Sequence, residues 1–129
     1  MYALKVISQF AAAHRLRHYQ GKCEALHGHN WQVEIEVRSK TLNTAGMVMD
    51  FQDLKALLKE CLAKLDHAYL NEIPPFDKEN PTSERIACYI FKQLKKALPP
   101  QVSIGKVTVW ESDTACAEYW EEDASTSKD

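Results

Sequence analysis

Cys23, His27 and His29 fall in the segment Cys23-Glu24-Ala25-Leu26-His27-Gly28-His29, a thiol beside two imidazoles whose spacing suits one shared metal ion. A His-x-His pair in an extended strand turns both rings to the same face, because strand side chains alternate sides with a period of two. Trp31, Val33, Ile35 and Val37 alternate with Gln32, Glu34, Glu36 and Arg38, as a half-buried strand requires, and His27 and His29 share the parity of the apolar set. Two nitrogen donors do not complete a zinc site. His14, at the end of Phe10-Ala11-Ala12-Ala13-His14, is the candidate third ligand, although taken alone it reads more simply as a hydrogen-bonded, partly buried histidine. Three histidines without a fourth protein ligand would leave one position open to a hydroxyl. Beside a divalent metal Cys23 should have a lowered pKa and act as base or nucleophile. If it bound the metal instead, the site would be closed and structural.

Two further groups carry possible chemistry. Asp66-His67 combines a ring that titrates near neutrality with a carboxylate able to orient it, as proton transfer needs. Neighbours in a regular element do not face each other, so His67 reads equally as a helix-terminal residue favoured by the dipole. Glu111 shares the parity of Val107 and Val109, which turns its carboxylate toward the buried face unless a bulge intervenes. It could accept two parallel N–H donors from an amino-pyrimidinone edge, or it could be an ordinary strand-end residue near solvent.

The elements that must position these groups follow from periodicity. Tyr2 to about His14 and His29 to about Lys40 read as strands separated by a turn-rich loop. Asp50 is a good N-cap for a helix running to about Leu65 with the apolar series Phe51, Leu54, Leu58, Cys61 and Leu65. Residues 66–80 are polar, contain Pro74 and Pro75, and read as a loop. Asn80 as cap and Pro81 at the first helical position introduce a second helix, whose buried stripe is Ile86, Ala87, Ile90, Phe91, Leu94 and Leu98, stopped by Pro99 and Pro100. Strands over about 102–113 and 115–121 follow, so residues 1–121 form one domain and 122–129 a polar tail expected to be disordered. The strand, strand, helix, helix, strand, strand order indicates an α+β fold, a four-stranded antiparallel sheet with both helices on one face. Its two edges and the polar second face carrying Glu34, Glu36 and Arg38 point to a homo-oligomer with sites between subunits.

With 129 residues, 45% hydrophobic and 26% charged, the chain can bury one core. A formal charge of −2 gives no long-range positive field of the kind a nucleic-acid or membrane-surface binder uses. Cys23, Cys61, Cys88 and Cys116 form no Cys-x-x-Cys pair, and Cys61 reads as a small core residue in a reducing compartment. The apolar N-terminal stretch is broken by Lys5, Ser8 and Gln9, and no stretch approaches membrane-spanning length. A cytoplasmic protein is expected.

Together these residues resemble the 6-pyruvoyltetrahydropterin synthase and 6-carboxytetrahydropterin synthase family, from Phe10 to Glu111. The resemblance implies zinc (Zn2+) held by His14, His27 and His29, a catalytic Cys23, a proton-relay pair Asp66 and His67, and Glu111 anchoring a pterin ring. Thr82, Ser83 and Glu84 resemble the helix start that helps hold that ring. Three residues separate Cys23 from His27, which resembles the spacing of the bacterial carboxy-forming enzymes rather than the longer gap of the pyruvoyl-forming ones. The implied activity is conversion of 7,8-dihydroneopterin triphosphate to 6-carboxytetrahydropterin, acetaldehyde and triphosphate in queuosine biosynthesis. The implied architecture is the tunnelling fold (T-fold), in which trimers close a twelve-stranded barrel and commonly pair into hexamers.

Overall fold

The computed structural model describes residues 1–18 and 24–122. Cys23 and the tail residues 123–129 therefore lie outside the described residues. The elements run β1 (Tyr2–His14), β2 (His27–Ser39), α1 (Phe51–Leu62), β3 (Ala68–Tyr69), α2 (Ser83–Ala97), β4 (Ser103–Ser112) and β5 (Ala115–Tyr119).

The sheet has five strands in the order β3-β1-β2-β4-β5, and β3 lies parallel to β1. This corrects the expectation of a four-stranded, wholly antiparallel sheet. The extra strand is two residues long, too short for any alternation to betray it in sequence. It forms because His67 takes a left-handed φ of 58° and donates its backbone N–H to the Ala11 carbonyl at 2.6 Å, laying Ala68 and Tyr69 beside Ala12 and Ala13. The remaining strand pairs are antiparallel as expected.

Both helices cover one face. Val6, Phe10, Trp31, Val33, Ile35, Val37, Val107 and Val109 from the sheet pack in one cluster with Leu54, Leu58 and Leu62 of α1 and Ile86, Ala87, Ile90, Phe91 and Leu94 of α2. The buried α1 residues are spaced by four, one stripe of a 3.6-residue period. Asp50 caps α1 by accepting from the Gln52 N–H at 2.7 Å, but Phe51 is 53% exposed, so the core stripe begins at Leu54. The helix ends at Leu62 rather than near Leu65, and Leu65 is buried from the following turns.

α2 begins two residues later than expected. Thr82, not Asn80, is the cap, accepting from the Arg85 N–H at 3.2 Å, because the Asn80 amide is engaged elsewhere. The segment between the helices also departs from a plain polar loop. Leu70 and Phe76 are fully buried within it, and it contains a 3-10 turn at Leu70–Glu72. No helix among the described residues is long and apolar enough to cross a membrane.

Candidate metal centre

The register of β1 on β2 assembles the site. His14 pairs directly across from His27, Ala12 pairs with His29, and Phe10 with Trp31. Because His27, His29 and Trp31 alternate with outward-facing residues, all three turn toward the helix-covered side, where His14 also points. His14 is almost fully buried, with 3% of its side chain exposed, while His27 and His29 are partly exposed. The indole of Trp31, fully buried and stacked on Phe10, meets the edges of His14 and His29 at ring separations of 4.9 and 5.2 Å. This apolar floor excludes water from one side of the imidazoles.

Glu111 enters from β4. The pairing of β4 with β5 shifts register between Trp110 and Ser112, and the carboxylate keeps the parity of Val107 and Val109. Its Oε1 lies 3.2 Å from His14 Nε2 and 3.1 Å from His29 Nε2. His14, His27, His29 and Glu111 thus offer four ligand atoms, all within 4.8 Å of one another. The family resemblance implies that Glu111 anchors a substrate ring; the fold also brings its carboxylate to the histidines.

Three observations fit this set to a metal ion. First, His14 Nδ1 lies 2.9 Å from the Pro81 carbonyl and His27 Nδ1 lies 2.9 Å from the Ala25 carbonyl. A carbonyl only accepts, so each ring donates from Nδ1 and, when neutral, directs an Nε2 lone pair into the site, as second-shell carbonyls do for metal-bound histidines. Second, those two Nε2 atoms are 3.1 Å apart, so a cation, proton or metal, has to stand between the lone pairs. Third, His29 Nε2 is buried without a hydrogen-bond partner, since Glu111 lies near it but outside hydrogen-bond geometry. An unpartnered buried nitrogen costs about 1–3 kcal/mol, which a metal bond would remove.

The spacing agrees as well. Zinc–ligand bonds of about 2.0–2.1 Å place tetrahedral ligands roughly 3.3–3.4 Å apart. The His14 and His27 Nε2 atoms, 3.1 Å apart, lie within a few tenths of that edge, and the whole set of four ligand atoms falls within 4.8 Å. Burial lowers the His29 pKa, opposed by the Glu111 charge and reinforced by His14 and His27, which favours the neutral ring that a metal needs.

The left-handed φ of His67 also lets adjacent residues meet. His67 Nδ1 lies 3.1 Å from Asp66 Oδ1, which accepts the Ala11 N–H at 3.0 Å. That backbone hydrogen bond, with the His67 ring beside it, holds the Asp66 carboxyl below its usual range. The pair sits past the end of α1 rather than within it, so His67 is no helix-dipole residue. With 83% of its side chain exposed, His67 faces outward and is not among the clustered ligands. Thr82, Ser83 and Glu84 directly follow Pro81, whose carbonyl holds His14, so the start of α2 stands next to the histidine cluster.

Asn71 and Arg17 carry no sequence signal of a role, and Asn80 reads in sequence only as a helix cap. Asn71 and Asn80 each accept from a backbone N–H and donate to the carbonyl of the same residue, Arg15 and Arg17 respectively, as a paired strand would. The one signal near them in the sequence is the apolar pair Leu70 and Phe76, which marks the segment as packed rather than solvated.

Comparison with known proteins agrees with this geometry. Residues 3–122 match the family described as 6-pyruvoyl tetrahydropterin synthase. The chain is 44% identical to the 6-carboxy-5,6,7,8-tetrahydropterin synthase of Synechocystis sp., over 86% of this chain and 87% of that one. It is 35% identical to the dihydroneopterin monophosphate aldolase of Pyrococcus furiosus, over 82% and 86% of the two chains. Its fold superposes on the 6-pyruvoyl tetrahydropterin synthase of Caenorhabditis elegans with a TM-score of 0.81 at 27% identity, covering 94% and 96%.

Proposed function

The chain belongs to the 6-pyruvoyl tetrahydropterin synthase family, and we propose that within it the protein is a zinc-dependent 6-carboxy-5,6,7,8-tetrahydropterin synthase. It would convert 7,8-dihydroneopterin triphosphate to 6-carboxytetrahydropterin, acetaldehyde and triphosphate, the reaction that serves queuosine biosynthesis, in the cytoplasm. The observation that carries the reading is the convergence of His14, His27 and His29 with Glu111 on one ligand-sized space. The carboxy-forming relative at 44% identity supports the product assignment, as does the three-residue gap between Cys23 and His27.

Zinc, when bound, supplies a Lewis acid that makes the substrate's side-chain hydroxyls easier to deprotonate. The chain's residues do the rest. His14, His27 and His29 hold the ion, with the Pro81 and Ala25 carbonyls fixing two of the tautomers. Glu111 accepts the paired N–H donors of the pterin, so the ring is fixed with its side chain against the histidines. Thr82, Ser83 and Glu84 complete the ring's binding surface from the start of α2. Cys23 takes one proton as thiolate, and His67, oriented by Asp66, moves another.

The exposure of His67 supports a shared site in which Asp66 and His67 of one subunit face the substrate held by another. The residue-by-residue edge of β1 beyond its short pairing with β3, and the outer edge of β5, supply backbone groups for such an assembly, a homo-oligomer and in this reading a hexamer of two trimers.

The test is incubation of the zinc-loaded protein with dihydroneopterin triphosphate and identification of products by mass spectrometry. Acetaldehyde with a 6-carboxy pterin is expected. A 6-pyruvoyl product would reassign the enzyme within the family, and cleavage of the side chain to another aldehyde would align it with the aldolase.

A further inference from the structure

The strand that carries His14 continues into a segment bound tightly to residues 71–80. Arg17 makes five hydrogen bonds to that stretch. Its backbone N–H donates to Asn80 Oδ1 at 2.8 Å and its carbonyl accepts from Asn80 Nδ2 at 3.0 Å. Its guanidinium donates to the carbonyls of Phe76 at 2.6 Å, Asn71 at 3.2 Å and Glu79 at 3.3 Å. Among the described residues no carboxylate pairs with it. The fork geometry of the guanidinium, with donors in fixed directions, is what lets one side chain gather three carbonyls.

The gathered segment ends at Pro81, directly after Asn80, and it is the Pro81 carbonyl that takes the Nδ1 proton of His14. Arg17 is itself three residues beyond His14, and the next residue, His18, turns the chain with a left-handed φ of 59°. A ring is thereby closed from His14 through Arg17, Asn80 and Pro81 back to His14. The Pro81 carbonyl is thus tied to Arg17 through Asn80 by two hydrogen bonds and one peptide link.

We propose that Arg17 is a positioning residue for the metal centre: by drawing the Asn71, Phe76 and Glu79 carbonyls together it sets the Pro81 carbonyl, which fixes the His14 tautomer and aims Nε2 at the ion. The proposal rests on the zinc reading above and adds a residue outside the cluster of ligand atoms. A partner that orients a metal-bound histidine typically contributes 10–100-fold to metal affinity. Arg17 acts through one intervening carbonyl, so the lower end, about tenfold, applies.

The test measures zinc affinity by competition with a chromophoric chelator, together with the melting temperature of the metal-free protein. Wild type is compared with Arg17→Ala, Arg17→Lys and the core variant Ile90→Val, which loses packing in α2 far along the chain from this ring. Arg17→Ala should bind zinc about tenfold more weakly, with affinity partly restored by added guanidinium. Arg17→Lys should fall between, since an ammonium serves fewer carbonyls, and it stands in if the alanine variant does not fold. Ile90→Val should melt lower with unchanged affinity. Wild-type zinc affinity in both Arg17 variants overturns the proposal, as does an equal affinity loss in Ile90→Val. If wild type itself binds no zinc, the metal reading falls and this inference with it.

Discussion

His29→Phe separates the two roles of a buried imidazole whose Nε2 has no hydrogen-bond partner. In the metal-free protein that nitrogen is a liability; in the proposed zinc enzyme it is a ligand. Phenylalanine retains a ring to pack against the Trp31 edge, 5.2 Å away between ring centres, while deleting both nitrogens. Relieving an unsatisfied buried group is worth about 1–3 kcal/mol, and the low end applies because a quarter of the side chain is exposed. Unfolding entropy of about 2.1 cal/mol/K per residue, over 129 residues, gives roughly 0.27 kcal/mol/K. The metal-free variant should therefore melt up to about 4 °C above metal-free wild type.

With zinc the order reverses. Free zinc at one hundred times its dissociation constant stabilises the folded state by about 2.7 kcal/mol, or roughly 10 °C on the same scale. His29→Phe should lose most of that increment. The assay is thermal unfolding of both proteins, in chelator and in buffered zinc, at one protein concentration because association would also shift the melting point. An equal zinc-induced shift in the variant would refute the ligand assignment. A metal-free variant that melts several degrees below wild type would refute the claim that His29 Nε2 is unsatisfied.

Cys23→Ala should retain zinc and lose turnover, whereas loss of tight zinc binding, measured by metal content after dialysis, would make Cys23 a ligand. Glu111→Ala should weaken substrate binding severely at saturating zinc with one zinc per chain retained; because Oε1 lies 3.1–3.2 Å from two ligand nitrogens, zinc affinity should also fall, and calorimetric titration of both ligands checks each part. Asp66 has a lowered folded-state pKa, caused first by the Ala11 N–H, so its stabilising contribution is present above the unfolded value of about 3.9 and is lost as pH falls through the lower folded value. Denaturant unfolding from pH 6 to pH 2 should show Asp66→Asn losing less stability than wild type on acidification; parallel curves would reject the linkage.

Much of this architecture was legible because it repeats. The alternation through Trp31, Val33, Ile35 and Val37 placed β2 and set the parity of His27 and His29, and the Asp50 cap marked α1. The centre needed one more fact that no local pattern carries, the pairing of His14 with His27 across two strands. Glu111 was legible as buried-face in parity but not as a neighbour of histidines, since that depends on how β4 lies beside β2. Residues 66–80 were the least legible. Their polar composition resembles a solvated loop, yet Asn71 and Asn80 spend their amides as substitutes for a paired strand, and Arg17 spends its charge on carbonyls. Such polar groups satisfy backbone that would otherwise be buried unpaired.

The cost of that arrangement explains where the chain keeps its polar groups. A site made of three imidazoles and a carboxylate over the Trp31 floor is built from atoms that prefer water, and a lone pair turned toward that buried floor without a partner is expensive. The fold answers on two sides. Carbonyls of Pro81 and Ala25 occupy the outward nitrogens of His14 and His27, so those rings cannot rotate to relieve the crowding of their inward ones. The inward nitrogens are left with a single shared need, a cation among them. The capacity to hold a metal thus follows less from the number of histidines than from the backbone that denies them other partners, and the length of chain from His14 through Arg17 to Pro81 is tied to that backbone.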